Sequence, residues 1–543
     1  MRNSEHPHGS PEEAGEWSGG HALARQLAAE GVEVVFGLPG EQLMRALDAF
    51  VDVPELRYIV TRHEQATTYM ADGYARTSGR PGVAMVVPGV GVYNAASGLA
   101  TAYACSSQVL LIAGQIERDA IGRDLGLLHD VHDQLDIVRP VTKHAERLMR
   151  ADDIAPGVRR AFAAMATGRP RPAEVEIPPE AFAESTKAAL AEPVPTARQA
   201  ADEQRLAAAA ALLAAAERPL VIAGGGAVLG DASAELTRVA ALLQAPVVTT
   251  REGKGAVDDR HPLAVGTAWF NSRMRPVVES ADVVLAVGTR FQRMGLGPAQ
   301  KLVHLDVDPD QIGRNHPADV ALAGDAALSL AALAELLPAA RRSRADEAAA
   351  MRAKAHHDLA AVGPQWGMVR ALRAGIPDDG VLVCDTTSVA YMCHMAYPVY
   401  APRTYLCTSY MGTLGFAYPA ALGAKVARPD APVVTVVGDG GFLFASNELA
   451  TAVQHGIHTV TVVFDDGAYG NSNRDQHDRY GGREYGTLLH NPDWVALARA
   501  FGAEGVLVDD IAKLPAVLAD ACAADDRSTV IAVPMGRLPS VFT

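Results

Sequence analysis

Residues 431–470 read APVVTVVGDGGFLFASNELATAVQHGIHTVTVVFDDGAYG, and this segment decides the class of fold. Its apolar run, residues 433–437, consists of β-branched side chains and stops at a Gly-Asp-Gly sequence, residues 438–440. Such a run is typical of a buried parallel strand that ends at a tight turn. The segment therefore begins with a predicted central strand, although Gly-Asp-Gly by itself indicates only a turn.

The second half of this segment predicts a helix and another strand. Residues 446–455 have a helical pattern, and Gly456 would close that helix in a left-handed conformation. A further apolar run, residues 459–464, ends in Asp465 and Asp466. The whole segment is thus a predicted β-α-β unit with acidic side chains at the ends of both strands.

Asp439 and Asp466 are expected to lie close together although they are far apart in the sequence. Ligands of doubly wound sheets bind beyond the carboxyl ends of the strands, so both carboxylates would face one crevice. Carboxylate oxygens there suit Mg²⁺, which commonly binds through one or two carboxylates and substrate phosphates. The glycines beside Asp439 would let backbone N–H groups approach a diphosphate. The pattern therefore predicts a site for a magnesium ion and a diphosphate.

This β-α-β unit resembles the thiamine-diphosphate motif of the acetolactate synthase and 2-oxo acid decarboxylase superfamily. By this resemblance Asp439, Asp466 and the backbone carbonyl of Ala468 bind Mg²⁺. The family usually has Asn-Asn or Asn-Asp where this chain has Asp465-Asp466, and an Asp at the ligand position keeps the oxygen donor. The residues of this segment that the resemblance assigns to the cofactor are Gly438, Asp439, Gly440, Gly441, Asp466, Ala468, Tyr469 and Gly470.

The composition fits a multidomain globular enzyme. The chain has 543 residues, which is too long for a single hydrophobic core, and 49% of them are hydrophobic. Its net charge of −15 argues against binding to nucleic acid or to an anionic membrane, because both require a basic patch. No apolar run approaches the ~20 residues that span a bilayer.

The cysteines and the N-terminus predict a cytoplasmic location. The 5 cysteines are odd in number and lack metal-like spacing, so we expect reduced thiols. The first residues are polar and contain no apolar h-region, which argues against a Sec-type signal peptide. Residues 1–17 are predicted to form a disordered tail.

Alternating strand and helix patterns predict an α/β fold of three doubly wound parallel-sheet domains. Their predicted bounds are residues 18–182, 205–337 and 363–543. A linker rich in Pro and Ala, residues 183–204, shows no strand character, and a charged helical linker precedes the third domain. By the resemblance these are the pyrimidine-binding, central and diphosphate-binding domains.

Glu64 lies in the sequence RHEQATTYMADGYAR, residues 62–76. A glutamate at a helix start is commonly only a favourable charge for the helix dipole. This stretch also resembles the pyrimidine-binding domain of thiamine enzymes, whose glutamate contacts the aminopyrimidine. There the glutamate stabilises the tautomer in which the cofactor's own imino group removes the thiazolium C–H proton. The resemblance therefore assigns Glu64 to cofactor binding and to catalysis.

The resemblance continues through residues 98–124, where it places Gln115 at the cofactor as a second catalytic residue. In the following GLLHDVHDQLD, residues 126–136, the family's Phe-Gln substrate-contact pair is missing. His129, His132 and Gln134 are the candidate substrate contacts there. A solvated loop is the alternative, because histidines near a cleft are common without being catalytic.

The central domain resembles that of acetolactate synthases, some of which hold FAD. Its Gly224-Gly225-Gly226 is not a full dinucleotide-binding fingerprint. Gln292-Arg293-Met294 replaces the family's aspartate and arginine after GTRF, and Thr267-Ala268-Trp269-Phe270 stands in a FAD-contacting loop. These departures argue against FAD without excluding it.

The third domain contains two further stretches assigned to the cofactor. Asp385, Thr386 and Thr387 follow a predicted strand and would offer polar groups to a diphosphate, although Ser and Thr at strand ends often only terminate the strand. The sequence MGTLGF, residues 411–416, matches the family segment under the cofactor. By that resemblance Gly412 bonds the aminopyrimidine and Leu414 is the apolar wedge that bends the cofactor. By pattern alone, Leu414 would be a core residue.

The leading functional interpretation is a carboligase of the acetolactate synthase type. The position of the benzoylformate-type histidine falls near Val87, and residues 89–91 carry no acid. Asp475 stands where acetolactate synthases have a tryptophan, and Arg474 is a candidate for binding a substrate carboxylate. The alternatives are a 2-oxo acid decarboxylase that releases an aldehyde, an inactive paralogue and a flavin-containing oxidase.

The resemblance also predicts the partners. In this superfamily the glutamate of one subunit faces the diphosphate domain of another, so we expect a symmetric homodimer or homotetramer. The expected substrates are a small 2-oxo acid and a carbonyl acceptor.

Overall fold

The computed structural model describes residues 17–193, 197–268, 272–292, 295–339 and 342–542. Three six-stranded sheets, each parallel throughout and flanked by helices, form three successive parts of the chain. The predicted fold class is confirmed.

The N-terminal part has eight strands, of which six form the first large sheet, while the first and the last pair with each other as a separate antiparallel sheet. Its strands are β1 (Trp17–Ser18), β2 (Val34–Gly37), β3 (Arg57–Val60), β4 (Gly82–Val86), β5 (Val109–Gly114), β6 (His144–Arg147), β7 (Ala173–Ile177) and β8 (Ser185–Thr186). Its helices are α1 (Gly19–Ala29), α2 (Met44–Phe50), α3 (Glu64–Ser78), α4 (Val90–Cys105), α5 (Gln134–Val138), α6 (Ala151–Ala166) and α7 (Pro179–Ala183). The sheet order is β3-β2-β4-β5-β7-β6.

The central part contains the second sheet. Its helices are α8 (Glu203–Ala215), α9 (Gly225–Leu229), α10 (Ser233–Leu243), α11 (Arg275–Glu279), α12 (Ala326–Leu336) and α13 (Ala345–Ala360). Its strands are β9 (Pro219–Ala223), β10 (Val247–Thr249), β11 (Ala264–Thr267), β12 (Val283–Val287), β13 (Lys301–Asp306) and β14 (Val320–Ala323). They are arranged in the order β11-β10-β9-β12-β13-β14.

The C-terminal part contains the third sheet. Its strands are β15 (Val381–Cys384), β16 (Tyr405–Cys407), β17 (Val433–Gly438), β18 (Val460–Asp465), β19 (Glu504–Leu507) and β20 (Thr529–Pro534). Its helices are α14 (Gln365–Gly375), α15 (Ser388–Ala396), α16 (Ala417–Ala427), α17 (Asp439–Leu443), α18 (Leu449–His455), α19 (Gly470–Arg479), α20 (Trp494–Ala500) and α21 (Leu514–Ala523). The order is β16-β15-β17-β18-β20-β19, so the two strands of the β-α-β unit are neighbours in the sheet.

Helices cover both faces of each sheet, and the inner strands are apolar for this reason. Every residue of β5 and of β12 is buried, and β17 is buried as far as Val437. The inner strand β7 is an exception, because it carries the buried Glu174 and Glu176. Ligands of such sheets bind beyond the carboxyl ends of the strands, in the segments that follow them.

The N-terminal and C-terminal sheets share one hydrophobic core through the contact of α3 with α16. Two glycines permit this close approach. A Cβ atom on Gly73 would lie 2.0 Å from the carbonyl oxygen of Ala420, and one on Gly423 would lie 1.9 Å from that of Met70. Gly73 lies on the same helix as Glu64, the first residue of α3. This packing therefore fixes Glu64 relative to the C-terminal domain.

Two sequence predictions about the ends of the first domain are wrong. Trp17, assigned to the tail, pairs as β1 with Thr186 in β8, and Ser18 caps α1. The sequence predicts no strand in the linker, residues 183–204. β8 nevertheless lies within it, because its backbone pairs with that of β1. Residues 1–16 of the predicted tail lie outside the described residues.

Smaller differences concern turns and loops. Residues 438–440 do not form a separate turn, because β17 runs to Gly438 and α17 begins at Asp439. Gly456 does close its helix, with a φ of 61°. Trp269, Phe270, Arg293 and Met294 of the FAD comparison lie outside the described residues. In the part of the chain that the structure describes, no helix is long and apolar enough to cross a membrane.

Candidate active site

The carboxyl ends of β17 and β18 bring Asp439 and Asp466 into one electrostatic environment. Asp439 is the first residue of α17 and is buried, and Asp466 directly follows β18. Burial and the negative charge of Asp439 raise the pKa of Asp466 to about 6. Burial also raises the pKa of Asp439, and Asp465 adds to the effect. Like charges held together away from water create a demand for a cation at this edge.

Asn491 organises this cluster from a distant loop. Its Nδ2 atom donates to Oδ2 of Asp439 over 2.6 Å and to Oδ1 of Asp465 over 2.8 Å. Trp494 donates from its indole nitrogen to Oδ2 of Asp465 over 2.6 Å. Asp465 is therefore satisfied by neighbouring donors, which leaves Asp439 and Asp466 as the ligand candidates.

Asn491 is not among the residues predicted from the sequence, and its side-chain oxygen has an unusual environment. In the described part of the chain its Oδ1 atom is buried and accepts no hydrogen bond. Its amide lies next to the carboxylates in a segment, HNPDW, whose proline and aspartate indicate only the start of a helix. The single available signal was this amide just before a helix start, and it does not point to Asp439.

The glycines around the carboxylates permit close packing that a side chain would obstruct. A Cβ atom on Gly470 would lie 2.1 Å from Oδ2 of Asp466, and one on Gly440 would lie 2.7 Å from the ring of Tyr469. Gly441 approaches Asp385, with 3.6 Å from an ideal Cβ atom to the carboxyl carbon. These glycines therefore allow their backbone segments to pack closely against neighbouring side chains, and their predicted contact with a diphosphate stays a prediction.

Two other predicted metal and cofactor residues lie at the start of α19. Ala468 is buried and pairs with Leu488 in an isolated bridge. Tyr469 donates its backbone N–H to the carbonyl of Thr487 over 2.8 Å. The 468–470 segment is thereby held beside Asp466.

Asp385 works as an internal anchor. Its Oδ1 accepts from the backbone N–H of Thr386 over 2.6 Å, and its Oδ2 accepts from those of Gly415 and Ala417 over 3.0 and 3.2 Å. Burial raises the pKa of Asp385 to about 6. The carboxylate thus holds the 411–416 segment at the end of β15, and its predicted contact with the cofactor stays a prediction.

The neighbours of Asp385 complete this wall. Thr386 donates from its hydroxyl to the carbonyl of Thr413 over 3.3 Å, and Thr387 lies against Gly438, 3.2 Å from an ideal Cβ atom. Gly412 is exposed with a φ of 62°, and Leu414 is only half-buried. Leu414 is therefore available as an apolar wedge and is not a core residue.

Glu64 is the first residue of α3 and is 8% exposed. Its Oε2 atom accepts from Nδ2 of Asn94, on α4, over 3.0 Å. Asn94 was also missed from the sequence. A single side-chain donor orients the carboxylate and leaves acceptor capacity for another group.

The two predicted glutamines lie behind the strand ends. Gln115 is buried, and its side-chain oxygen accepts from the backbone N–H of Ile116 over 2.7 Å. Gln134 is fully buried, accepts from Gly89 N–H over 2.8 Å and donates to the carbonyl of Gly114 and to Oε2 of Glu176. Gln134 thus holds the loops after β4 and β5, and its predicted substrate contact stays a prediction.

The predicted histidines occupy the loop before α5. His129 has a φ of 69°, and its carbonyl oxygen lies 2.3 Å from an ideal Cβ atom on Gly89. His132 is exposed. The loop therefore reaches the end of β4 through its backbone at His129, whereas His132 faces outward.

Arg474 lies on α19, one turn beyond Gly470, and is 9% exposed. Its Nη2 atom donates to Oδ1 of Asn471. Burial raises the pKa of Tyr391, and the charge of Arg474 opposes that rise. Arg474 and Tyr391 are consequently close enough to interact beside the C-terminal sheet.

Comparison with protein families gives three matches along the chain. The N-terminal TPP binding domain of thiamine pyrophosphate enzymes matches residues 17–138, and their central domain matches residues 206–333. Their C-terminal TPP binding domain matches residues 385–533. The chain belongs to the thiamine pyrophosphate enzymes.

Relatives of this thiamine pyrophosphate enzyme align along nearly its whole length. A probable acetolactate synthase large subunit of Methanocaldococcus jannaschii is 33% identical over 518 residues, which is 90% of this chain and 86% of that protein. A probable 2-ketoarginine decarboxylase of Pseudomonas aeruginosa is 36% identical over 505 residues, 89% and 88% of the two chains. The acetolactate synthase isozyme 3 large subunit of Escherichia coli is 30% identical over 547 residues, 93% and 92%. The chain is therefore an acetolactate synthase-like enzyme that uses thiamine diphosphate.

The C-terminal site of this thiamine pyrophosphate enzyme fits a diphosphate with its cation. Asp439 and Asp466 supply hard oxygen donors, and burial, together with the neighbouring carboxylates, raises the pKa of both. Gly470 packs its backbone closely against the carboxylate of Asp466. Asn491 offers a buried oxygen that still lacks a donor in the described structure.

A cavity of about 1460 Å³ lies where the three domains of the enzyme meet. Its wall contains Thr386 and Gly412 from the cofactor segments and Gly225, Arg290 and Gln292 from the central domain. The cavity thus continues from the cofactor residues to the glycine turn of the central sheet, which is the region compared above with FAD-containing relatives.

Proposed function

We propose that the chain is a Mg²⁺-dependent carboligase of the acetolactate synthase type. It decarboxylates a 2-oxo acid and joins the remaining acyl unit to a carbonyl acceptor. Thiamine diphosphate supplies the electron sink for decarboxylation. The observation that supports ligation over release of an aldehyde is the character of the strand ends in the N-terminal sheet.

The ends of two strands, β2 and β4, carry no proton donor of their own. Residues 38–40 follow β2 and residues 87–89 follow β4, and neither stretch contains an ionisable side chain. Val87 is buried there, and its Cγ1 atom lies 2.1 Å from an ideal Cβ atom on Gly40. Release of an aldehyde requires a proton at the reacting carbon, so an apolar wall favours capture by a carbonyl acceptor.

The chain's own residues take separate roles in this proposal. Asp439, Asp466 and the carbonyl of Ala468 would hold Mg²⁺, which would neutralise charge on the diphosphate. Leu414 imposes the bent shape of the cofactor. Glu64, oriented by Asn94, hydrogen-bonds the pyrimidine ring and promotes removal of the thiazolium proton.

Arg474 is the proposed anchor for the substrate carboxylate. Arg474 lies on α19, shortly after the proposed metal ligands Asp466 and Ala468, and its side chain is mostly shielded from water. A shielded arginine binds a carboxylate through charge-assisted hydrogen bonds, which favours an anionic 2-oxo acid over a neutral ketone. By contrast, Asp475 forms an exposed ion pair with Arg479 over 2.9 Å and is not part of this anchor.

A simple 2-oxo acid decarboxylase is the second candidate. The backbone of His129 contacts Gly89, shortly after β4, which makes His129 a candidate proton donor at that wall. A relative named as a probable 2-ketoarginine decarboxylase also aligns over most of the chain. Proton delivery by His129 would convert the same decarboxylation into aldehyde release.

We further propose that the active enzyme is a homodimer or homotetramer. Large apolar or aromatic side chains are exposed beside both halves of the site, among them Tyr93, Phe444 and Tyr485. Glu64 and Asp439 belong to different domains, and each would complete a site with its counterpart in a second copy. FAD is not part of this proposal, because Gln292-Arg293-Met294 replaces the aspartate and arginine that the family has after GTRF.

One experiment distinguishes these functions. Purified enzyme with thiamine diphosphate and Mg²⁺ is incubated with a panel of 2-oxo acids, with and without aldehyde or 2-oxo acid acceptors. Mass spectrometry then identifies dissolved and headspace products, with Glu64→Ala as the matched control. Ligated products support the proposal, aldehyde alone supports the decarboxylase, and no cofactor-dependent product indicates an inactive paralogue. A flavin absorbance spectrum of the protein as purified would identify the oxidase alternative.

A further inference from the structure

Glu448 is a buried carboxylate that the proposed function does not use. It is the last residue of the 3-10 turn Ser446–Glu448 in the C-terminal domain and has 0% exposure. Its Oε1 and Oε2 atoms accept from the backbone N–H of Arg62 over 3.0 and 3.1 Å. Arg62 belongs to the N-terminal domain, so this contact joins the two cofactor-binding domains of one chain.

The carboxylate of Glu448 is itself fixed in place. The hydroxyl of Thr451 donates to Oε2 over 2.6 Å, and Nδ2 of Asn447 donates to Oε1 over 3.3 Å. Thr451 is fully buried. A carboxylate held from its own helix is a rigid acceptor, and it positions the backbone that donates to it.

A second contact nearby acts on the same segment. The backbone N–H of Val60 donates to Nε2 of His455 over 3.0 Å, and Nη2 of Arg57 donates to the carbonyl of His455 over 3.1 Å. Arg62 also donates from its side chain to Oε1 of Gln454 over 2.6 Å, but this bond is exposed. The end of β3 and the start of α3 are therefore held at two backbone positions by α18 and the turn before it.

We propose that Glu448 is a positioning residue for Glu64. It fixes the backbone of residues 60–64. This backbone sets the position from which the side chain of Glu64 reaches the pyrimidine ring. The inference rests on the proposed role of Glu64 in cofactor activation. Reaction rates depend steeply on such placement, and a misplacement of about 1 Å costs on the order of 10²-fold.

The main test compares Glu448→Ala with the control Gln454→Ala. Both variants remove a hydrogen bond to Arg62 from the same region, but only the first removes a bond to the backbone. Hydrogen–deuterium exchange at the thiazolium C2 carbon of bound thiamine diphosphate is measured with Mg²⁺. We expect Glu448→Ala to slow this exchange roughly tenfold to a hundredfold, with cofactor affinity changed far less, and Gln454→Ala to match the parent.

Three further measurements separate positioning from general damage. Amide exchange of peptides covering residues 57–64 in the cofactor-free protein should speed up in Glu448→Ala, while peptides of β17 stay protected. Glu448→Gln should recover part of the C2 exchange rate, because its carbonyl oxygen still accepts from Arg62. In a Glu64→Gln background, Glu448→Ala should have little additional effect, because both changes act on the same step. If Glu448→Ala does not fold, Thr451→Val loosens the same carboxylate with a smaller change.

The outcomes distinguish the two hypotheses. If Glu64→Gln exchanges slowly but Glu448→Ala exchanges as fast as the parent, the positioning role is overturned and the role of Glu64 stands. If Glu64→Gln itself exchanges as fast as the parent with cofactor bound, the proposed role of Glu64 is overturned, and the positioning role with it. Slow exchange in Glu448→Ala that adds fully to the effect of Glu64→Gln also overturns positioning.

Discussion

Asn491 lies 2.6 Å from Asp439 and donates its side-chain amide to Oδ2 of that carboxylate, although the two residues are 52 positions apart. The same amide bonds Asp465. Asn491 therefore bridges Asp439, a proposed metal ligand, and Asp465, the first aspartate of the Asp465-Asp466 pair, and so orients the carboxylate of Asp439. This arrangement, together with the position of Glu64, gives the following predictions.

Asn491→Ala should weaken Mg²⁺ binding. Without the amide, the carboxylate of Asp439 loses the donor that fixes its rotamer and faces Asp465 directly. Loss of such an outer partner typically costs ~10–100-fold in metal affinity. Calorimetric titration of Mg²⁺ in the presence of thiamine diphosphate measures it. Asn315→Ala, which removes an exposed amide bond to Arg290 in the central domain, is the control. Equal Mg²⁺ affinity in Asn491→Ala and the parent would contradict the role.

Asp439→Ala should abolish binding of both Mg²⁺ and thiamine diphosphate. In the proposed site Mg²⁺ would bind both the protein and the diphosphate, so the binding of each ligand should depend on the other. Calorimetry of the cofactor-free protein shows this directly, and Asp475→Ala, which breaks only an exposed ion pair, should bind normally. Undiminished cofactor affinity in Asp439→Ala would remove the metal assignment.

Glu64→Gln should lose turnover while keeping its cofactor. General acid–base contributions are typically ~10²–10⁴-fold in rate, and we expect a loss of that size. Cofactor affinity should change far less, because the diphosphate and the metal supply most of the binding. Quenched-flow NMR of C2 exchange measures the step itself. Asn94→Ala should show a smaller loss in the same direction, since it removes only the donor to Oε2.

Mixing two inactive variants should restore activity. Glu64→Ala and Asp439→Ala each spoil a different half of the shared site, so hybrid dimers contain one intact site. Activity is measured after subunit exchange under mild denaturant, and each variant incubated alone is the control. A fully active, stable monomer in analytical ultracentrifugation would rule out the shared site.

Glu448 should make the stability of the cofactor-free protein depend on pH. Burial raises the pKa of Glu448 from 4.5 to about 7. Between these two values the unfolded chain has lost the proton that the folded chain keeps, so stability is highest below the lower value and falls as pH rises. Relative to Glu448→Gln, the parent should lose about 3 kcal/mol between pH 4 and pH 8. Urea unfolding of both proteins at each pH measures the difference. A difference that does not vary with pH would contradict the shift.

The sequence predicted the architecture because its information is local. A β-branched run that ends at glycine, as in residues 433–438, specifies a buried strand wherever it occurs, and β17 and β18 are found within one residue of their predicted bounds. The order of such runs and helices then allows few topologies other than three doubly wound sheets. The resemblance supplied the candidate residues, and Asp439 and Asp466 do lie at adjacent strand ends of one sheet.

Local sequence pattern gave a wrong prediction where a strand pairs with a segment that is distant in the sequence. Trp17 follows a polar tail and precedes a helix, and nothing near it indicates a strand. Its pairing with Thr186 depends on a segment at the other end of the domain. In the same way, no local pattern shows that Asp385 accepts hydrogen bonds from three backbone N–H groups, two of them in the 411–417 stretch.

By itself, then, the sequence determined the three-sheet fold and the βαβ unit with its two carboxylates, since side-chain periodicity and strand-ending glycines act within a few residues. Only the tertiary structure decided which groups orient those carboxylates and Glu64. Asn491, Asn94 and Glu448 take part through single hydrogen bonds to residues remote in the chain. Such bonds form after the helices and sheets have packed, because a donor and an acceptor must come within about 3 Å, and no local pattern encodes that approach.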